Sequence, residues 1–322
     1  MAERIVVLDG YTLNPGDIDW QPLQALGDLE LHDRTPTDQI LERCNGASCL
    51  LVNKTPLTRA TVEALADLRY IGVLATGYNV VDIEATAARR VVVTNIPTYG
   101  TDSVAQHAAA MMLEFARGIS VHNLAVHAGD WTNNADWCFA RHPIFELTGK
   151  VLGIVGIGRI GLALARIGAA MGMKLIAHDL VWPDAQRLDG LEVQQVALDE
   201  LFSQADVISL HCPLNPENLH LVNQDRLKLM KRTAFLINTS RGPLVDNQAL
   251  SEALHAESIG GAALDVLDTE PPPADNPLLS APNCLLTPHI AWYAEEARRR
   301  LMQIAADNLQ AFLEGKSLNV VN

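Results

Sequence analysis

The chain has 322 residues, with 24 Lys and Arg against 38 Asp and Glu, a formal charge of −14; 48% of residues are hydrophobic and 19% charged. That length predicts two domains, and that composition predicts a folded globular chain, excluding a disordered one. The acidic balance argues against a broad basic face for nucleic acid or for an anionic membrane.

From the N-terminus, residues 1–9 hold an acid at Glu3 and a four-residue apolar run, too little for a signal peptide and better read as a first strand. No later run approaches the ~18 apolar residues of a spanning helix, so no membrane partner is expected. The five cysteines are odd in number and lack C-x-x-C spacing, as expected of reduced thiols in a cytoplasmic protein. The histidines and acids show no compact ligand spacing, so no metal is expected.

Short β-rich runs at 5–9, 48–53, 70–76 and 91–95 alternate with helical patterns such as 58–68. A breaker cluster follows at 95–100 (NIPTYG), and Thr101-Asp102-Ser103 can then cap a long helix over about 104–123. Residues 124–149 hold Trp131, Trp137, Phe139 and Phe145 without clear periodicity. They read either as an aromatic-anchored surface loop or as an arm packed on a partner subunit. Alternation resumes with β-rich runs at 151–156, 174–179, 207–212, 234–239, 261–265 and 284–287, and with a helical pattern at 247–257. A break at Thr287-Pro288-His289 precedes a last helix over about 294–313. Such alternation predicts parallel sheets with helical crossovers, the α/β class. The two long helices read as connectors, so the first domain is expected to be discontinuous, 1–100 with 291–322, around a second at 101–290.

The second domain opens on a run 151–155 leading into Gly156-Ile157-Gly158-Arg159-Ile160-Gly161 and a helix over about 160–171. In this strand-to-helix setting the three glycines allow a tight turn, an approach of backbone to pyrophosphate, and packing of helix on strand. The free N–H groups of the helix start favour phosphate. Asp179 closes the next strand, where a carboxylate would bind the adenosine ribose and repel a 2′-phosphate; NAD is therefore expected, with NADP disfavoured.

Arg241, Glu270 and His289 each follow the carboxyl end of a β-rich run, where an open α/β sheet binds its ligands. Each could singly be a turn or loop residue. Together they suit reduction of a 2-keto acid: a cation for the charge developing on oxygen, and an acid–base imidazole with a carboxylate partner.

The chain resembles the D-isomer-specific 2-hydroxyacid dehydrogenases over essentially its whole length. The resemblance runs through IGVLATGYNVVD (71–82), TDSVAQH (101–107), the glycine motif, HCPL (211–214), FLINTSRG (235–242), LDVLDTEPP (264–272) and TPHIAW (287–292). LDGYTLNPGD (8–17) and HIAW (289–292) are most similar to the bacterial glycerate dehydrogenases, also called hydroxypyruvate reductases. The resemblance implies two doubly wound domains, a Rossmann NAD-binding domain inserted in a discontinuous flavodoxin-like substrate domain, and a homodimer formed mainly through the former. It implies that Arg241, Glu270 and His289 are catalytic, and that Ala75, Thr76 and Gly77 offer N–H groups to the substrate carboxylate. Cofactor contacts are implied for Val104, Arg159, Ile160, Cys212, Pro213, Thr239, Ser240, Arg241, Asp265, His289 and Trp292. Tyr293 stands where that branch has a small residue; its ring would narrow the substrate pocket, its hydroxyl would add a hydrogen bond there, or the side chain would point away along the helix. The expected substrates are hydroxypyruvate or glyoxylate, with pyruvate or a branched-chain keto acid as alternatives, and a nucleotide-sensing co-repressor scaffold as a different class. His211 reads as a core residue.

Overall fold

The computed structural model describes residues 3–322 and divides into two compact units, Met1–Gly100 with Tyr293–Asn322, and Thr101–Trp292. The sequence-based exchange point at 290/291 lies two residues before the second boundary.

The first unit holds β1 (Arg4–Val7), β2 (Asp28–Leu31), β3 (Cys49–Val52), β4 (Tyr70–Val73) and β5 (Val92–Thr94). They form one parallel sheet in the order β2-β1-β3-β4-β5, the flavodoxin-like winding. Every residue of β3 and β4 is buried, which is why these strands read as unbroken apolar runs: helical crossovers cover both faces. Val6, Leu50, Val52, Ile71 and Val93 form one core with Val62 and Leu65 of the crossovers. Truncating such a residue to Ala costs ~2–5 kcal/mol. The returning helix Glu295–Leu313 buries Leu301, Met302 and Leu309, and Phe312 meets Tyr70 at a ring separation of 4.8 Å. The last residues then finish the β5 edge, with Val321 N–H donating to Val93 O (2.9 Å) and Val93 N–H to Asn322 Oδ1 (2.9 Å).

The second unit holds β6 (Val151–Val155), β7 (Lys174–His178), β8 (Val193–Gln195), β9 (Val207–Leu210), β10 (Phe235–Asn238), β11 (Gly261–Leu264) and β12 (Cys284–Leu286). All pair in parallel, in the order β12-β11-β10-β9-β6-β7-β8. Strand order reverses between β6 and β9, which makes a crevice at their carboxyl ends.

Three local expectations are corrected. β2 and β8 have no counterpart among the β-rich runs: both are edge strands, mostly half-exposed or exposed, with polar residues such as Glu30 and Gln194 on them. The helix expected over 104–123 is two, Thr101–Arg117 and Ile119–His127. Gly118 breaks it at φ +55°, and a Cβ there would lie 1.7 Å from the His142 ring. Within 124–149, residues through His127 are helical and the remainder is irregular.

Candidate active site

The crevice between β6 and β9 is lined by main chain. Gly156 follows β6 at φ +93°, donates its N–H to His178 O (2.8 Å), and lies so close to β9's exit that a Cβ would be 2.6 Å from Cys212 N. A Cβ on Gly161 would be 2.2 Å from Gly156 O, so the helix Arg159–Ala170 starts hard against the turn. Gly158 is its N-cap, without a capping side chain, and a Cβ there would meet nothing within 4 Å. The helix therefore offers uncapped N–H groups to open space, an anion site by charge and geometry. Asp179, just past β7, accepts from Ile157 N–H (2.7 Å) and Val181 N–H (3.1 Å), so the acid is fastened to the glycine turn.

Past β9, His211 donates or accepts at Nε2 with Ser209 Oγ (2.8 Å), while its enclosed Nδ1 has no partner among the described residues. Burial pushes its pKa down to about 4 and raises that of the Cys212 thiol to about 11. His211 is thus more than the core filler expected: it adjoins the glycine turn with an unused ring nitrogen. Thr239, past β10, likewise has an enclosed Oγ1 without a partner among the described residues. Orphaned polar atoms of this kind are uncommon in folded proteins. With the uncapped helix start and the room at Gly158, they fit a dinucleotide, for which the N–H groups of 158–160 would hold the pyrophosphate and Thr239 Oγ1 and His211 Nδ1 would be available as polar partners. Val104 is buried, Arg159 and Pro213 are exposed, and Ile160 is half-buried.

The neighbouring strands β10, β11 and β12 gather the side chains. Asn238, Leu264 and Leu286 align across their carboxyl ends, so Arg241, Glu270 and His289 all emerge at one edge. Buried Asn238 pins the first turn, its amide N–H donating to Arg241 O (2.9 Å) and its Oδ1 accepting from Ser240 N–H (3.0 Å). Ser240 Oγ donates to Leu210 O (2.9 Å). A Cβ on Gly242 would be 1.8 Å from Leu267 O, so only glycine lets the Arg241 turn press against the segment carrying Glu270. Glu270 Oε1 accepts from Leu267 N–H (3.1 Å), and Oε2 lies 2.6 Å from His289 Nδ1. Nε2 is then the imidazole nitrogen turned away from the carboxylate. The two side chains stay about one-third exposed, 32% and 35%, so the dyad is ordered yet reachable.

His289 sits at φ +54°, left-handed backbone that costs a non-glycine residue ~1–3 kcal/mol. Its N–H donates to Asp265 O (2.8 Å) and Thr287 O (3.0 Å), and its carbonyl accepts from Trp292 Nε1 (2.9 Å). The Asp265 carboxylate is committed to this loop: Oδ1 accepts from Thr287 Oγ1 (2.6 Å) and Ile290 N–H (2.9 Å), Oδ2 from Ala291 N–H (2.8 Å). Its geometry makes it a brace of the His289 loop, beside the cofactor contact that the resemblance implies for it. Its loop partner Thr287 was not singled out in the sequence, because nothing in TPHIAW distinguishes a bracing hydroxyl from a breaker.

In the first unit, Ala75 O accepts from Ile96 N–H (3.0 Å) and Thr76 O from Asn95 Nδ2 (2.7 Å). Carbonyl and N–H of one trans peptide point oppositely, so the N–H groups of Thr76 and Gly77 face away from 95–96. Tyr293 has the Arg298 guanidinium 4.5 Å from its ring centroid, and Arg298 forms a two-pronged pair with Asp17 (2.7 and 2.6 Å). That pair holds the Asp17 carboxyl below its usual range. The ring is therefore stacked on Arg298 of the helix that follows it, and Asp17 holds that guanidinium in place.

Residues 109–291 match the family described as D-isomer specific 2-hydroxyacid dehydrogenase, NAD binding domain. The chain belongs to the D-isomer-specific 2-hydroxyacid dehydrogenase family. It is similar to a hydroxypyruvate reductase of Blautia hydrogenotrophica, 48% identical over 99% of each chain. A glycerate dehydrogenase of Methylorubrum extorquens is 39% identical over 100% of this chain and 99% of its own. An acyclic imino acid reductase solved with NADPH and D-Arg superposes at a TM-score of 0.85, with 30% identity over 99% of this chain and 100% of that one. The protein is accordingly an oxidoreductase that works with a nicotinamide dinucleotide. Among the described residues, no helix is long and apolar enough to cross a membrane.

Proposed function

We propose that the chain reduces a small 2-keto acid, hydroxypyruvate or glyoxylate, to the D-2-hydroxy acid with NADH, and catalyses the reverse. The observation that carries this reading is the 2.6 Å pair of His289 and Glu270 at the sheet edge that also presents Arg241. Its support from relatives is the names hydroxypyruvate reductase and glycerate dehydrogenase.

Bound nicotinamide supplies or takes the hydride. Arg241 stabilises the charge that develops on the carbonyl oxygen, its planar fork suiting a carboxylate beside a carbonyl. His289 as imidazolium donates the proton from Nε2 in reduction and recovers it in oxidation. Glu270 holds the ring through Nδ1 and so leaves Nε2 to face the substrate. The 75–77 turn offers the Thr76 and Gly77 N–H groups to the substrate carboxylate.

NADH is favoured over NADPH because the Asp179 carboxylate would meet a 2′-phosphate, and the exposed Leu180 and Val181 beside it bring no cation. The relative solved with NADPH shows that the fold by itself does not decide this. A homodimer is supported by exposed Leu124 and Trp137, at 69% and 85%, near a groove of about 610 Å³ lined in part by Ile119, Trp131 and Phe139.

The deciding measurement is a panel of keto acids, including pyruvate and a branched-chain acid, with NADH and NADPH. Turnover fastest with hydroxypyruvate or glyoxylate and NADH is expected. Absence of turnover throughout overturns the enzymatic reading, faster pyruvate turnover moves the substrate, and equal use of NADPH removes the role given to Asp179.

A further inference from the structure

The His289 loop is gripped from outside by a helix that has no part in the chemistry described above. On the helix Thr101–Arg117, Ser103 and His107 are four residues apart and so share one face. Ser103 Oγ donates to Ala291 O (2.5 Å), and His107 Nε2 lies 3.1 Å from Thr287 Oγ1. The two contacts bracket His289, two residues to either side.

The Thr287 hydroxyl has one proton and gives it to Asp265 Oδ1 at 2.6 Å. At 3.1 Å, His107 Nε2 must then be the donor, which fixes a proton on that nitrogen and orders a relay from His107 through Thr287 to Asp265. Asp265 is the hub: its side chain is 1% exposed, and its oxygens also receive the Ile290 and Ala291 N–H groups. His107 Nε2 also lies 3.7 Å from Oδ1 itself. A buried carboxylate is stable only when its lone pairs are occupied, and the loop it braces holds His289 in backbone it would otherwise leave.

We propose that His107 is a positioning residue for the catalytic imidazole: through Thr287 and Asp265 it keeps the His289 loop in its left-handed form. The proposal rests on His289 being the acid–base residue, but its physical content, the order of the loop, is separately measurable.

The test compares His107→Phe, His107→Gln and Thr287→Val with the whole protein in hydroxypyruvate reduction, and follows amide hydrogen exchange across 286–293. His107→Phe removes the donor, and His107→Gln supplies an amide donor in its place. Expected for His107→Phe is a kcat about tenfold lower, KM values for keto acid and NADH within about twofold, and faster exchange at Ile290 and Ala291. His107→Gln should recover much of both. Thr287→Val should match His107→Phe, and the double variant should be no worse than either alone, because both cut one relay. The proposal is overturned if kcat and exchange in His107→Phe equal those of the wild type, if Gln recovers nothing, or if the two losses multiply. Should His107→Phe fail to fold, the Gln and Val variants decide alone. If the wild type turns over no keto acid, the proposed function fails, while the exchange result still judges the brace.

Discussion

The glycine turn at 156–161 and the reactive edge at 241–289 lie in the same unit, yet they are built from opposite materials. The turn works with main chain: an uncapped helix start, room at Gly158, and a left-handed Gly156 pressed against Cys212. The reactive edge works with side chains, each aimed by a neighbouring group: Asn238 under Arg241, Leu267 N–H on Glu270, and Asp265 under His289. A main-chain site tolerates changes of side chain but not of glycine. A side-chain site is sensitive at the reacting groups and again at the groups that aim them.

Variants can test that contrast. The largest effect is expected at the reacting groups: Arg241→Ala or His289→Ala should lower kcat/KM by ~10²–10⁴-fold, with NADH affinity within about threefold by fluorescence titration. A matching collapse of NADH binding would merge the two regions into one. Next comes Gly242→Val, whose side chain would run into Leu267 backbone. It should destabilise the fold by ~3 kcal/mol or more in chemical denaturation, which would make main-chain approach essential at the reactive edge too.

His211 stands where the regions adjoin, and its effect is smaller. Burial keeps the folded pKa near 4 against 6.5 for a free imidazole, so the unfolded chain binds more protons between those values. Stability is then complete above about pH 6.5 and falls as pH drops toward 4, by at most about 3 kcal/mol. His211→Gln should flatten that part of the stability–pH curve; an unchanged slope would assign the loss to other groups. The smallest effect is at Asp179→Ser, which should weaken NADH by ~10-fold and improve NADPH relative to it, since one charged hydrogen bond is worth ~1.5–3 kcal/mol.

The same contrast explains what could be read from the amino acids. The glycine turn is contiguous, its Gly156 and Gly161 answer steric demands that no other residue meets, and Gly158 leaves room for a ligand, so pattern reveals it. Arg241, Glu270 and His289 are spread over three crossovers and singly look like turn residues. Their shared place past strand ends and the family resemblance group them, and the adjacency of β10, β11 and β12 gives the physical reason. For Asp265 the resemblance implies a cofactor contact, and the structure adds a role that no linear pattern displays: its carboxylate accepts from the N–H groups of Ile290 and Ala291. Edge strands β2 and β8 escaped because one-sided pairing leaves no apolar signature. The break at Gly118 was hidden because the apolar spacing continues through it, while the His142 ring that fills the space comes from 24 residues onward.

The returning helix also sets an order of assembly. Residues 101–292 contain all seven strands of their sheet and can close their core as soon as they are synthesised. The five strands made first cannot do the same: Leu301, Met302, Leu309 and Phe312 have yet to cover them, and Val321 and Asn322 have yet to finish the β5 edge. The earliest part of the chain to emerge is therefore the last to complete. During that interval its uncovered apolar face is the segment most in need of protection from aggregation, whatever the stability of the finished protein.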